Sequence, residues 1–319
     1  MFNLINQGCG RRRSAAAPGP LITAFVLLCA TTRAVPQDAL RYSLTGQEMA
    51  RSRAQALQNE DYNLKLGNAK FRAGASLSTE FNDNVNLSDS SSADSDVILR
   101  PQLNTSLHWP ITAKNALNFS LGLGYVKYVQ SSQDDYLMLT PGSELSFDIF
   151  VGDFRFTLYD RFSYSQDPLQ NSAVSGVARY GGLDNAAGVN VLWDLNKIIL
   201  STGYAHVNFI PDQADFDYLA RSSENVFLRA AYLINSTTVV GVESSSGLTT
   251  YDNPTFLNNA LSFSVGPFTE IKVTDHLDLD ARAGFVGYNF ETEDSSVIGV
   301  AENPRSYYFD VGLRHTLNQ

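Results

Sequence analysis

The chain has 319 residues, 44% of them hydrophobic, a formal net charge of −10 and two cysteines. This length admits one large domain or two small ones, and no apolar run reaches the roughly 18 residues of a spanning helix. So acidic a balance argues against nucleic acid as a partner.

Residues 1–34 differ from the rest. Arg11, Arg12 and Arg13 form a basic region, Leu21 to Ala30 (LITAFVLLCA) a short apolar core, and Thr32-Arg33-Ala34 a small-x-small cleavage site. That is the layout of a secretory signal peptide. The arginine run also hints at twin-arginine export, but no full motif follows it. Leu28 precedes Cys29 where a lipobox needs a small residue. Both cysteines, Cys9 and Cys29, fall in this segment, so an exported chain would carry no disulfide or thiol chemistry. Removing it takes away four arginines and no acid, shifting the net charge from −10 to −14. Residues 35–68 follow as a periplasmic tail or a plug. The stretch from Asp38 to Glu60 has the makings of one amphipathic helix.

From Ala69 the texture is alternation. Phe71, Ala73, Ala75, Leu77 and Phe81 share one parity, with Arg72, Gly74, Ser76, Ser78 and Glu80 between them. Period-two alternation means a strand with one apolar face. The pattern recurs to the end of the chain. It predicts strands near 69–83, 96–109, 116–130, 137–151, 154–166, 181–194, 198–210, 221–234, 238–248, 259–273, 277–290 and 305–317. Alternation is weak in 198–210 and 238–248. The connections alternate too. PITAKN, GD, LNK, NST and TDH are short, whereas 84–95, 131–136, 167–180, 211–220, 249–258 and 291–304 are long and rich in Asp, Ser, Asn and Pro.

Short turns at one rim and long loops at the other are the arrangement of an outer-membrane barrel. The expected fold is therefore all-β: a transmembrane antiparallel up-and-down β-barrel of about twelve strands over 69–319. It is preceded by a short helical or disordered segment. A soluble sandwich is the alternative, with the apolar parity buried between two sheets. Most of the strands are 11–15 residues long. A tilted span needs roughly 9–11 residues and soluble strands average about 5–6, so the lengths favour the barrel. Trp109 and Trp193 sit at short-turn ends, and Tyr164, Phe209 and Tyr307 near long-loop ends, as interfacial girdles would.

In a barrel the polar parity lines the lumen. The candidate lumen residues are Arg72, Glu80, Arg100, Glu144, Asp148, Arg155, Arg161, Glu270, Lys272, Asp278, Asp280, Arg282, Asp310 and Arg314. Two residues break the parity. Asp160 lies on the apolar face, where a bulge or a pairing with Arg161 would accommodate it. Lys127 points outward, high enough to snorkel. Gly122 and Gly124 read as relief from crowding on the polar side.

No catalytic, cofactor or metal motif emerges. His108, His206, His276 and His315 make no metal spacing. His206 and Asn208 share a strand face near the long-loop rim, which invites comparison with a membrane hydrolase, but no supported serine accompanies them. Asp83, Asp89, Asp94 and Asp96, and Glu291, Glu293 and Asp294, read as solvated outer loops rather than calcium sites.

The last strand, YYFDVGLRHTLNQ, resembles the C-terminal assembly signal of outer-membrane proteins, with Asp310, Gly312, His315 and Leu317 in its positions. The segment AGASLSTEFNDNVNLSD, with Phe81 to Val85 as its core, together with LSFDIFVGDF, VLWDLN and VGPFTEIKVT, resembles the outer-membrane porin family described as beta-barrel porin type 2. The resemblance implies an outer-membrane location, lipid as surroundings and the barrel-assembly machinery as a partner through the last strand. It assigns no functional residues. The leading expectation is a porin-like channel for small solutes or for export of a polymer such as a polysaccharide. The alternatives are a non-conducting structural or adhesion barrel and, behind it, a membrane hydrolase.

Overall fold

Runs of alternating apolar and polar residues, punctuated by tight turns, build thirteen strands among the described residues of the computed structural model. These are β1 (Leu64–Leu66), β2 (Ala69–Asn82), β3 (Asp96–Thr112), β4 (Asn115–Tyr128), β5 (Tyr136–Val151), β6 (Phe154–Ser165), β7 (Gly182–Asp194), β8 (Ile198–Pro211), β9 (Arg221–Leu233), β10 (Thr238–Tyr251), β11 (Ala260–Thr274), β12 (Leu277–Phe290) and β13 (Arg305–His315). The structure describes residues 62–85, 93–166, 181–253, 258–274, 276–291 and 303–316. The expected signal peptide, the helix over 38–60 and the loop acids Asp89, Glu293 and Asp294 lie outside the described residues, as does Leu317.

Every strand pairs antiparallel with the next, in strict sequence order, in one sheet. This is the antiparallel up-and-down β-barrel architecture and not two stacked sheets. Twelve strands match the expected ones to within a few residues. The thirteenth, β1, folds back on the start of β2, pairing Leu64 with Phe71 and Leu66 with Ala69, so the end of the segment read as tail or plug is a strand. The strand expected to stop at Trp109 runs on through a register irregularity to Thr112. The β3–β4 turn thereby shrinks to Ala113–Lys114. Two other short turns place Gly152 (φ 57°) and Asn196 (φ 66°) in the left-handed region, which glycine and asparagine enter at least cost.

The register sorts side chains cleanly. Along β4 and β5, Leu117 faces Phe147 and Phe119 faces Leu145, while Asn118 faces Ser146 and Ser120 faces Glu144. The apolar face is uncovered. Leu77, Phe81, Leu137, Leu313 and Tyr307 are 68–81% exposed. A soluble sandwich would bury this parity under a second sheet, and no second sheet exists among the described residues. Leaving so large an apolar surface open makes sense only against lipid.

A transmembrane barrel was expected, its strands closing into one cylinder. Among the described residues no ladder joins β13 to β2. The edges of the sheet are β1 and β13, and β2, beyond its short pairing with β1, is exposed on both faces from Gly74 to Phe81.

Candidate functional site

The candidate site is the polar face. All fourteen residues expected to line a lumen fall on it by register, alternating with the apolar positions. Cross-strand neighbours on one face stand about 5 Å apart at Cβ, so opposite charges meet. Glu80 on β2 pairs with Arg100 on β3. Glu144 on β5 takes the Nε–H of Arg161 on β6 at 2.6 Å, and that guanidinium lies 4.5 Å from the ring centre of Tyr159. Arg155 Nε is 3.4 Å from Asp148.

Asp148 is the hub of this region. It is 2% exposed and accepts from Asn118 Nδ2 at 2.9 Å and from the Thr157 hydroxyl at 2.5 Å. Asn118 spends its amide hydrogen on Asp148, so its oxygen accepts, and His108 at 2.6 Å donates through Nδ1. One chain of polar contacts therefore crosses β3, β4, β5 and β6. A buried carboxylate is tolerable because each of its oxygens finds such a donor.

The opposite end of the sheet is more charged. Arg229 on β9 reaches over Gly241 on β10 to Glu270 on β11, Nη2 to Oε1 at 2.6 Å, with its guanidinium 3.9 Å from the Phe268 ring centre. Arg282 and Asp310 are register partners on β12 and β13, as are Asp278 and Arg314. Glu270, Lys272, Asp278, Asp280 and Arg314 line a groove of about 260 Å³ at the short-turn end, with Ser236 and Thr237. A second groove, about 360 Å³, is walled instead by short neutral groups, among them Ser76, Asn104, Ser106, Ser120 and Thr140, with Arg72 at its margin.

Aromatic rings occupy the rest of this face by lying over glycines on the next strand. Phe227 covers Gly203, Phe268 covers Gly241, Tyr308 covers Gly284 and Tyr159 covers Gly188. Gly122 and Gly124 likewise leave room for Thr140 and Met138, as expected from crowding.

Several sequence readings change. Phe209 is not a girdle residue: it is 3% exposed on the polar face, packed with Leu219 and beneath the Arg221 guanidinium, because its parity opposes that of Tyr204 and Ile210. Asp96 is not solvated. It is fully buried, and its carboxylate takes the backbone N–H groups of Val97, Val129, Gln130 and Ser131 at 2.7–3.2 Å, pinning the start of the β4–β5 loop to β3. The end of that loop is pinned by Asp135, which binds Lys127 Nζ at 2.5 Å and the Tyr128 N–H at 2.9 Å. The Lys127 ammonium holds the Asp135 carboxyl below its ordinary value. Lys127 thus climbs to the rim, as snorkelling requires. Asp160 stays on the apolar face, with no bulge and no pairing to Arg161. Its carboxylate is bound by Asn185 Nδ2 at 2.6 Å. His206 and Asn208 do share a face, but it is the apolar one. The partner of His206 is Glu224, at 2.7 Å, and no serine.

Sequence reasoning missed Lys70, Arg221, Arg229 and Glu243, which also lie on the polar face. Parity alone would have found Arg229, flanked by Leu228 and Ala230. It could not have found Glu243, because TVVGVESSSGLTT has too little alternation to fix a face.

The fold and this two-faced wall define the class: an up-and-down β-barrel of the outer-membrane kind. No protein-family model matches the chain, and no curated protein does either. Solved structures similar to it are outer-membrane proteins. OmpT of Vibrio cholerae shares 9% identity at a TM-score of 0.41, over 79% of this chain and 99% of that one. An outer-membrane channel of Pseudomonas putida F1 shares 15% at 0.40, over 80% and 97%. An anion-selective porin of Comamonas acidovorans shares 11% at 0.27, over 76% and 99%. Likeness at this level concerns architecture and says nothing of solutes.

Proposed function

We propose that this chain is a bacterial outer-membrane β-barrel, exported through the signal peptide at 1–34, that forms a porin-like passage for small polar solutes or for a polymer leaving the cell. The charged residues of the polar face, the fourteen named from the sequence among them, line that passage. Lipid surrounds the apolar face, and the last strand is the contact for the assembly machinery. The role needs no cofactor and no catalytic residue. One observation carries the reading. The same strands present an uncovered apolar face and, at alternate positions, a face where both charge signs meet water-facing amides and hydroxyls. Water on one side and hydrocarbon on the other is what that alternation fits.

Planar-bilayer recording tests it. Purified protein, shown to be folded by its gel mobility before and after heating, is expected to give stepwise current. A folded preparation without steps would overturn the pore. It would favour a sealed barrel that works through its long acidic loops. That second reading has its own support, since Glu80–Arg100, Glu144–Arg161 and Arg229–Glu270 already neutralise one another across the polar face.

A further inference from the structure

The β8–β9 connection, residues 212–220, crosses the rim from one side of the wall to the other. Its start is held on the apolar side. Tyr164, Leu183 and Ile210 form one register row there, and Asp212 lies one step beyond. The Asp212 carboxylate accepts from the Tyr164 hydroxyl at 2.9 Å and from Gln166 Nε2 at 2.6 Å. Its N–H donates to the Gly181 carbonyl at 3.0 Å. The end of the connection is held on the polar face, where Ser163, Asp184, Phe209, Arg221 and Tyr251 form one row. Leu219 packs on Phe209, and the two are 5% and 3% exposed. Phe216 and Tyr218 pack against the same pair. Arg221 lies over the Phe209 ring and donates to the Leu219 carbonyl at 3.4 Å. The backbone from Ala214 to Leu219 is wound into 3-10 turns, and the Ala220 carbonyl takes the Asp252 N–H of the neighbouring loop at 3.0 Å.

A connection standing upright from the rim would give Phe209 and Leu219 to water. Removing both from it favours the inward fold. The anchor is apolar and lies on the face where water is expected, so it holds the connection over that face and away from lipid. The winding leaves Asp215 and Asp217 exposed, and Asp252 beside them is exposed too. Long loops belong to the outer side of such a barrel. The entrance from outside is therefore spanned by a segment seated through its leucine and carrying exposed carboxylates.

We infer that this connection is a strap across the outer mouth of the passage. It narrows the entrance and, through Asp215 and Asp217, admits small neutral or cationic solutes ahead of anions and of any polymer. The inference rests on the porin-like reading above, so one arm of its test needs no current. In the folded, exported chain, Leu219→Cys is expected to react with a water-soluble maleimide about tenfold more slowly than Asp217→Cys, because access governs thiol reactivity. Equal rates would mean an unseated strap and would overturn the inference alone. The second arm is planar-bilayer recording on two variants. One is Leu219→Asn with Phe216→Ser, which removes the anchor. The other deletes residues 214–218 and leaves β8 and β9 whole, so the test survives if the first variant does not fold. Each is expected to raise the unitary step about twofold, since pore diameter controls passage. The deletion is also expected to lower the cation-to-anion permeability ratio about twofold, since two carboxylates go with it. An unchanged step or an unchanged ratio in the deletion overturns the inference and leaves the passage standing. Silence from folded parent and folded variants alike overturns passage and strap together.

Discussion

From β2 to β6 the polar face is held by carboxylates, whereas from β7 to β13 it is held by rings laid over glycines. In the first region Asp96 ties down a loop and Asp148 gathers Asn118, Thr157 and Arg155. Gly74 there has nothing near it, and Gly122 and Gly124 make room for Thr140 and Met138 instead of for rings. In the second, Phe227, Phe268 and Tyr308 use the missing side chains of Gly203, Gly241 and Gly284 as seats. Rings seated on strand glycines fix register and shield the backbone. Both regions obey the same alternation, yet one is specified by hydrogen bonds and the other by volume. They should therefore fail under different insults.

The largest expected effect is steric. Gly241→Val would drive a side chain into the Phe268 ring and the Ala230 carbonyl. Overpacking of this kind costs about 3 kcal/mol. Gly74→Val, with open space around it, should leave the urea midpoint of folding into lipid vesicles where it was. Equal loss in both would erase the distinction between the two regions.

Next comes the hub. Asp148→Ala strands Asn118, Thr157 and Arg155, and removal of one partner from a buried charged network costs about 3 kcal/mol. Asp280→Ala, at the open charged groove, should cost less than about 1 kcal/mol. The same urea titration reads both. A large loss at Asp280 would mean that the second region also depends on its charges.

If the passage conducts, the charged groove should bias it. Asp278→Asn with Asp280→Asn is expected to lower the cation-to-anion permeability ratio about twofold, by removing negative potential from the wall. Reversal potentials in a salt gradient measure this. An unchanged ratio would place the permeant path away from that groove.

The smallest effect is a pH dependence at the carboxylate-held end. The Asp135 carboxyl is depressed by its hydrogen bond to Lys127. A depressed carboxylate stabilises the folded loop at all pH values above the ordinary carboxylate range. That contribution is lost as pH falls through the depressed value. The protection of the Tyr128 amide, measured against the intrinsic exchange rate at each pH, should fall over that interval, and Asp135→Asn should flatten the profile. An acid response in the variant as steep as in the parent would assign it to another group.

Strand positions, the meander order and the face of each strongly alternating residue were legible from local pattern, because side chains on a strand point to opposite sides with period two whatever surrounds them. The polar-face residues followed from that rule, and Glu243 escaped it where serines and glycines blur the alternation. Phe209 shows the limit of reading aromatics by height alone: parity, not nearness to a rim, sent it to the polar side.

The sequence by itself determined that this chain makes a dozen long antiparallel strands with one greasy and one polar side. Only the tertiary structure decided who meets whom: Asp160 with Asn185 instead of Arg161, His206 with Glu224, Asp96 with a loop thirty-odd residues away, each ring with its glycine. Those pairings depend on how far each strand slides against its neighbour, and that offset is set jointly by two turns and two strands, so no single stretch of sequence contains it.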